Sequence, residues 1–263
     1  MGKLTINISD TAVNLDLADA PRKKAAVISH ERSGTHFLMN TLALNFGYVS
    51  EPWWNFDFNI PLNFHAPECL QGYLAQADNR PALNILKSHH SVGFFVEFME
   101  HLASQFHVFY ICRDPRDVLV SNWKLVNEFE WDEGPKAKTA SEFIRSTPSG
   151  AMMRFQKQPE PNQVTRWETH VKGWLDFEQA NPDVPVVIVR YEDLSRDFEA
   201  IVEQIGQAIG EPVGAIRRPA ASRNVIGSGP AKVAGQREHL TPADETFIRQ
   251  HCGATMKRLG YVD

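Results

Sequence analysis

Apolar residues along the chain alternate between short continuous runs and longer stretches of helical spacing. The first run, residues 25–30 (AAVISH), follows the basic step Arg22, Lys23, Lys24. Gly34 then breaks the chain, and Leu38, Leu42 and Phe46 fall on one stripe of a helix over 35–46. A second run at 82–87 ends in the polar cluster Ser88, His89, His90, Ser91, and 93–104 reads as helical. The third run, 106–112 (FHVFYIC), is followed by Asp114 as a cap and Pro115 in a first helical turn, with the helix continuing through Val118, Leu119 and Trp123. A last run, 185–190 (PVVIVR), precedes a helix carrying Phe198, Ile201, Val202, Ile205 and Ile209. Between these two, Val164, Trp167, Val171, Trp174 and Leu175 mark a long amphipathic helix.

Short aliphatic strands separated by helices predict an α/β fold: a central, mostly parallel β-sheet flanked by helices on both faces. Such sheets bind ligands at the carboxyl ends of their strands. The chemically interesting residues fall there, at 31–36, 87–91, 113–121 and 191–193. Residues 1–24 read as a segment preceding a single domain over 25–263. Two stretches break the alternation. Residues 50–80 mix Trp53, Trp54, Phe56, Phe58, Phe64 and Tyr73 with Pro and Asn, and 210–240 reads as a long loop rich in Gly, Pro, Ala and Arg.

Composition narrows the function. The chain has 263 residues with 27 Lys+Arg against 32 Asp+Glu, a net charge of −5, so no strong positive field draws in nucleic acid. Three cysteines, at 69, 112 and 252, show no paired spacing, which predicts a reducing compartment and a buried Cys112. Asp10, Asp16 and Asp19 interrupt any signal-peptide pattern, and no apolar run is long enough to span a membrane. A cytoplasmic protein is the expectation. No histidine pair has metal-ligand spacing beside a Glu, so no metal is expected.

The segment from His30 to Phe37 reads as an anion cradle. Backbone N–H groups at a helix start favour a phosphate; Arg32 adds a charged fork, and Ser33 and Thr35 add hydroxyls. It is not the GxxxxGK[ST] form, so a nucleoside triphosphate with Mg²⁺ is disfavoured. Arg113 at the tip of the third strand and Ser121 one turn inside the next helix are placed to grip a second phosphate. Arg116 and Asp117 read as a solvated helix face. Tyr191, Glu192 and Asp193 admit a purely structural reading as a first helical turn.

Taken in order, Arg32-Ser33-Gly34-Thr35, Lys87-Ser88-His89, the run from Arg113 through Val118 to Ser121, and Tyr191-Glu192-Asp193-Leu194 resemble the signatures of sulfotransferases that use 3'-phosphoadenosine 5'-phosphosulfate (PAPS). The resemblance runs from about residue 25 to about residue 245. It implies a P-loop NTPase-like core without a required metal. It further implies a 5'-phosphosulfate loop at 32–36 that includes His36, a 3'-phosphate site at Arg113 and Ser121, and an adenine side lined by Phe37 and Tyr191. His89 matches the general base, with His90 its rival one position along. Arg32, where the family commonly has Lys, and Lys87 would stabilise the transferring group. Arg cannot donate its proton, so the role of Arg32 would be electrostatic. A C-terminal loop over the donor is implied at about 210–240. There the chain departs from the family's Arg-Lys-Gly run, and Arg223 is the expected phosphate ligand, with Lys232 and Arg237 as lesser candidates.

The acceptor implied is a small-molecule, lipid-like or sugar hydroxyl, less readily an amine. Residues 50–80 and 128–160 would wall its pocket, the latter through Phe129, Trp131, Phe143, Met152, Met153 and Phe155. Two other functions stay open: a nucleotide-dependent small-molecule kinase on a related core, and a non-catalytic nucleotide-binding or scaffolding domain. The sequence does not fix the oligomeric state.

Overall fold

A computed structural model describes residues 3–8, 11–16, 23–50, 53–57, 72, 84–130, 132–220 and 237–263. Two strands, β1 (Lys3–Ile8) and β2 (Thr11–Asp16), form an antiparallel hairpin ahead of the main sheet. Sequence reading left this hairpin unassigned within the N-terminal segment. The main sheet contains β3 (Lys24–Ser29), β4 (Trp54–Asn55), β5 (Ile85–Ser88), β6 (Phe106–Cys112) and β7 (Val186–Arg190). Its order is β4-β5-β3-β6-β7, with every pairing parallel. The α/β expectation therefore holds.

Strand periodicity explains the two cores. Successive side chains of a strand point to opposite faces. Ala26 and Ile28 of β3, with Val108, Tyr110 and Cys112 of β6, enter one cluster, while Ala25, Val27, Phe109 and Ile111 enter the other. The second face is covered by α1 (Thr35–Phe46), and the first by α2 (Met99–Gln105), which follows two 3-10 turns where one helix over 93–104 was expected. Next come α3 (Pro115–Glu128), α4 (Ala140–Arg145) and α5 (Gln163–Ala180). The chain finishes with α6 (Tyr191–Arg196), α7 (Phe198–Ile209) and α8 (Pro242–Arg258). Helix α5 opens on a capping box between Asn162 and Thr165, and buries Trp167 and Trp174 completely.

Register places the functional loops. Ile28 pairs with Ser88, Ser29 with Ile111, and Cys112 with Arg190. The next residues, at 30, 89, 113 and 191, therefore leave the sheet along one edge. The chain order jumps at β3: one neighbour, β5, precedes β6 in sequence, and the connection between them crosses to the other side. That is the switch point where open parallel sheets form a crevice.

Candidate active site

The loop after β3 is shaped by two left-handed residues. Arg32 has φ 65°, and it is the single non-glycine at positive φ among the described residues; Gly34 has φ 97°. For Arg32 this backbone costs on the order of 1–2 kcal/mol, a strain typical of functional loops. At Gly34 a side chain is excluded outright, because a Cβ would lie 2.3 Å from Cδ2 of Tyr191. Gly34 also caps α1 without a side-chain hydrogen bond, and the first turn holds no acidic residue. The helix thus presents its positive end undiluted. The fully buried Ser33 hydroxyl has no hydrogen-bond partner.

Two guanidinium groups face this loop. Arg32 donates from Nε to the Ser121 hydroxyl at 2.9 Å, across from α3. Arg113, 8% exposed, lies 4.5 Å above the Tyr191 ring. Neither arginine has a carboxylate partner among the described residues. Burial and the positive charge of Arg113 both push the Arg32 pKa down. Nearby carboxylates are already committed: Asp114 to Arg116 at 2.5 Å and to Arg237 at 2.9 Å, and Asp117 to Arg237 at 3.0 Å. Arg116 is accordingly buried, correcting the reading of a solvated face: the Asp114 cap folds the guanidinium back onto itself, and the Tyr261 carbonyl accepts a further bond. Arg237 contacts two carboxylates here. Arg223 and Lys232 lie outside the described residues.

A cleft of about 190 Å³ opens beside Arg113, lined also by Asp117, Tyr191, Glu192, Ser195 and Arg196. Tyr191, Glu192 and Asp193 form the first turn of α6, as their structural reading had it, while Tyr191 also meets Phe37 edge-on at 6.0 Å. Phe37 is 5% exposed and stacked on Phe198. The cleft floor is tied across the sequence. Glu192 accepts the Asp114 N–H at 2.9 Å and the Tyr261 hydroxyl at 3.1 Å.

On the other side of the loop, His89 is held at three points. Its N–H donates to Asp57 Oδ1 at 2.7 Å, and its Nδ1 lies 3.0 Å from the Ser29 carbonyl. Because a carbonyl only accepts, Nδ1 carries the proton and Nε2 keeps the lone pair. The third point is the His89 carbonyl, which takes a bond from His170 at 3.0 Å. Burial, with the Lys87 ammonium nearby, lowers the His89 pKa to about 4. The Ser29 hydroxyl links His89 Nδ1 at 3.2 Å to the Thr35 hydroxyl at 2.7 Å. Phe155 meets the His89 ring edge-on at 5.6 Å, and His36 meets Trp53 in the same way at 5.1 Å. Phe143 and Met152, expected in a pocket wall, are buried against Val126 in a separate small core.

His90 is fully buried, bonded to the Ser88 hydroxyl and surrounded by Phe56, Phe94 and Phe155. Lys87 pairs with Asp57 at 2.5 Å in a buried contact. Burial opposes ionisation of Asp57, yet Lys87 and the adjacent imidazoles outweigh it and hold the carboxyl far below its usual range. Asp57 was not singled out from the sequence, and neither were Arg166 and His170. Arg166 of α5 pairs with Glu31 at 2.6 Å and contacts His30 Nε2 at 3.0 Å, bracing the loop from beneath. The available signal was a polar residue beside Trp167 on the apolar stripe of α5.

These residues fit a phosphate-bearing ligand: an orphaned buried hydroxyl, an open helix start and two guanidiniums without carboxylate partners among the described residues all favour an anion. Among the described residues no group of three or more His, Cys, Asp and Glu is arranged to hold a metal ion. Arg166→Met leaves the Glu31 carboxylate buried without its cation and is expected to cost about 3–5 kcal/mol in urea denaturation, with Glu31→Leu in the same chain restoring most of it. A loss below about 1 kcal/mol would show that the pair is not a buried brace.

Comparison with known proteins gives the same direction. The sulfotransferase domain family matches residues 22–225. Sulfotransferase 2B1 of Mus musculus is 24% identical over 192 residues, covering 72% of this chain and 50% of the relative. A 3-beta-hydroxysteroid sulfotransferase of Cavia porcellus is 25% identical over 187 residues, covering 70% of this chain and 58% of the relative. The chain thus spans about half the length of the curated relatives it matches. In fold it is similar to a mouse sulfotransferase, SULT7A1, solved with PAP, at TM-score 0.59 and 15% identity, covering 91% of this chain and 86% of that one. With a family match over most of its length, and a parallel sheet that gathers the matching loops at one edge, the chain belongs to the sulfotransferase domain family.

Proposed function

We propose that this protein transfers a sulfuryl group from PAPS to the hydroxyl of a small apolar or amphipathic acceptor. The observation that carries the reading is a buried Arg113 and a half-buried Arg32, neither with a carboxylate partner among the described residues, beside an uncapped helix start and an orphaned Ser33 hydroxyl. An anion in place offsets the desolvation of this charge. The donor, when bound, supplies an activated sulfuryl group and a good leaving group. The phosphosulfate end belongs at residues 32–36, the 3'-phosphate at Arg113 and Ser121, and the adenine beside Phe37 and Tyr191.

His89 takes the acceptor proton at Nε2, since Nδ1–H is fixed on the Ser29 carbonyl. A neutral imidazole is required for this step, and its low pKa keeps it neutral at physiological pH. Arg32 stabilises developing charge on the transferring oxygens as a fixed hydrogen-bonding cation. Lys87 acts from within its pair with Asp57, so it orients more than it adds net charge. Phe155 gives the base an apolar neighbour, which suits an apolar alcohol. The hydroxysteroid named for the Cavia porcellus relative makes 3-hydroxysteroids the first acceptors to try.

The test is isothermal titration with adenosine 3',5'-bisphosphate, with AMP and Mg·ATP as controls. Selective binding of the bisphosphate is expected, and Arg113→Ala weakens it about ten- to a hundredfold while leaving AMP nearly unchanged. Preference for Mg·ATP would replace this reading with phosphoryl transfer. His89→Ala is expected to lower kcat by about 10²–10⁴ with bisphosphate affinity kept; equal loss of both would remove His89 as the base.

The sign of the pH dependence follows from burial. A base whose pKa lies at about 4 is lost only as pH falls towards that value. The profile of kcat/KM should therefore show no acid limb at the ordinary imidazole pKa of about 6.5. A limb near that ordinary value would contradict a buried, neutral His89.

A further inference from the structure

Both halves of the site are braced from one helix. Arg166 and His170 are four residues apart on α5, which sets them one turn apart on one face. Arg166 holds the donor loop through Glu31 and His30, and His170 reaches the base loop. The ring of His170 lies 5.4 Å edge-on from His30 and is stacked on Tyr110, which is itself stacked on Trp174. Tyr110 and His170 are 0% and 4% exposed, so both lie away from bulk solvent.

The hydrogen bonds around His170 run in one direction. Its Nε2 lies 3.0 Å from the His89 carbonyl, which only accepts, so Nε2 carries the proton. Nδ1 then accepts from the Tyr110 hydroxyl at 2.9 Å. Burial keeps the imidazole neutral and the phenol protonated, as this arrangement needs.

We propose that His170 is a positioning residue for His89, fixing the backbone of the base through its carbonyl with Tyr110 fixing the tautomer of His170. Three bonds then define where the base sits: N–H to Asp57, C=O from His170, and Nδ1–H to Ser29. Nε2, 3.9 Å from Asp57 Oδ2 and beyond hydrogen-bond distance of it, is left for chemistry. The inference rests on the reading of His89 as the base.

Two variants separate positioning from plain packing. In His170→Gln the amide nitrogen takes the place of Nε2 and keeps the bond to His89; in His170→Asn the amide oxygen takes the place of Nδ1 and keeps only the bond from Tyr110. The expected result is kcat within about threefold of the parent for Gln and a loss of about ten- to a hundredfold for Asn. Acceptor KM and bisphosphate affinity should stay within about twofold in both. Equal losses of kcat, or losses confined to KM, would overturn the proposal. A second readout needs no turnover: ¹⁵N imidazole spectra of the unmodified protein should show His170 protonated at Nε2, and the reversed tautomer would also overturn it. The same spectra should show the His89 tautomer averaging in the Asn variant but not in the Gln variant. If the parent binds bisphosphate but sulfates none of the acceptors, the reaction assignment fails, whereas these spectra still decide the His170 bond.

Discussion

Two positive charges, one buried and one half-buried, with no carboxylate partner among the described residues, are the constraint around which the site is organised. Arg32 and Arg113 repel one another, and each would gain from a carboxylate. Among the described residues none forms an ion pair with either, and only the more distant Glu128 charge acts on Arg32. Asp114 and Asp117 are claimed by Arg116 and Arg237, Glu31 by Arg166, and Asp57 by Lys87. Ion pairing around the site therefore does more than stabilise the fold: it keeps the acidic residues from quenching the two guanidiniums.

The same logic explains why the loop tolerates strain. A left-handed Arg32 and a glycine pressed against Tyr191 are costly features in isolation. They turn the Arg32 side chain towards Ser121 and let α6 approach the start of α1, which sets the loop after β3 against Tyr191 of the cleft that follows β6 and β7. Strand register does the coarse placement, and these two residues do the fine placement.

Much of this is legible in the sequence. Strands such as 106–112 are buried on both faces, and such runs are apolar throughout, which makes them visible. The loops at 30–36 and 113–121 carry their chemistry in consecutive residues. What was missed depends on partners distant in sequence, or on weak local signals. Asp57 follows a two-residue strand too short to show alternation, and its role exists only because β4 lies beside β5. Arg166 and His170 sit in a stripe dominated by Val and Trp, where a polar residue is easily set aside. The hairpin over 3–16 alternates polar and apolar positions, and a reading tuned to continuous apolar runs passes over it.

The tie between Tyr261, Arg116 and Glu192 has a consequence for synthesis. Tyr261 joins the starts of α3 and α6 beneath the cleft from far along the sequence. The central strands and their helices emerge from a ribosome well before it does, and folding can begin with them. The cleft floor cannot, because its closing contacts span 145 and 69 residues of sequence. Until Tyr261 has been synthesised, a nascent chain can hold the central sheet but not the completed cleft.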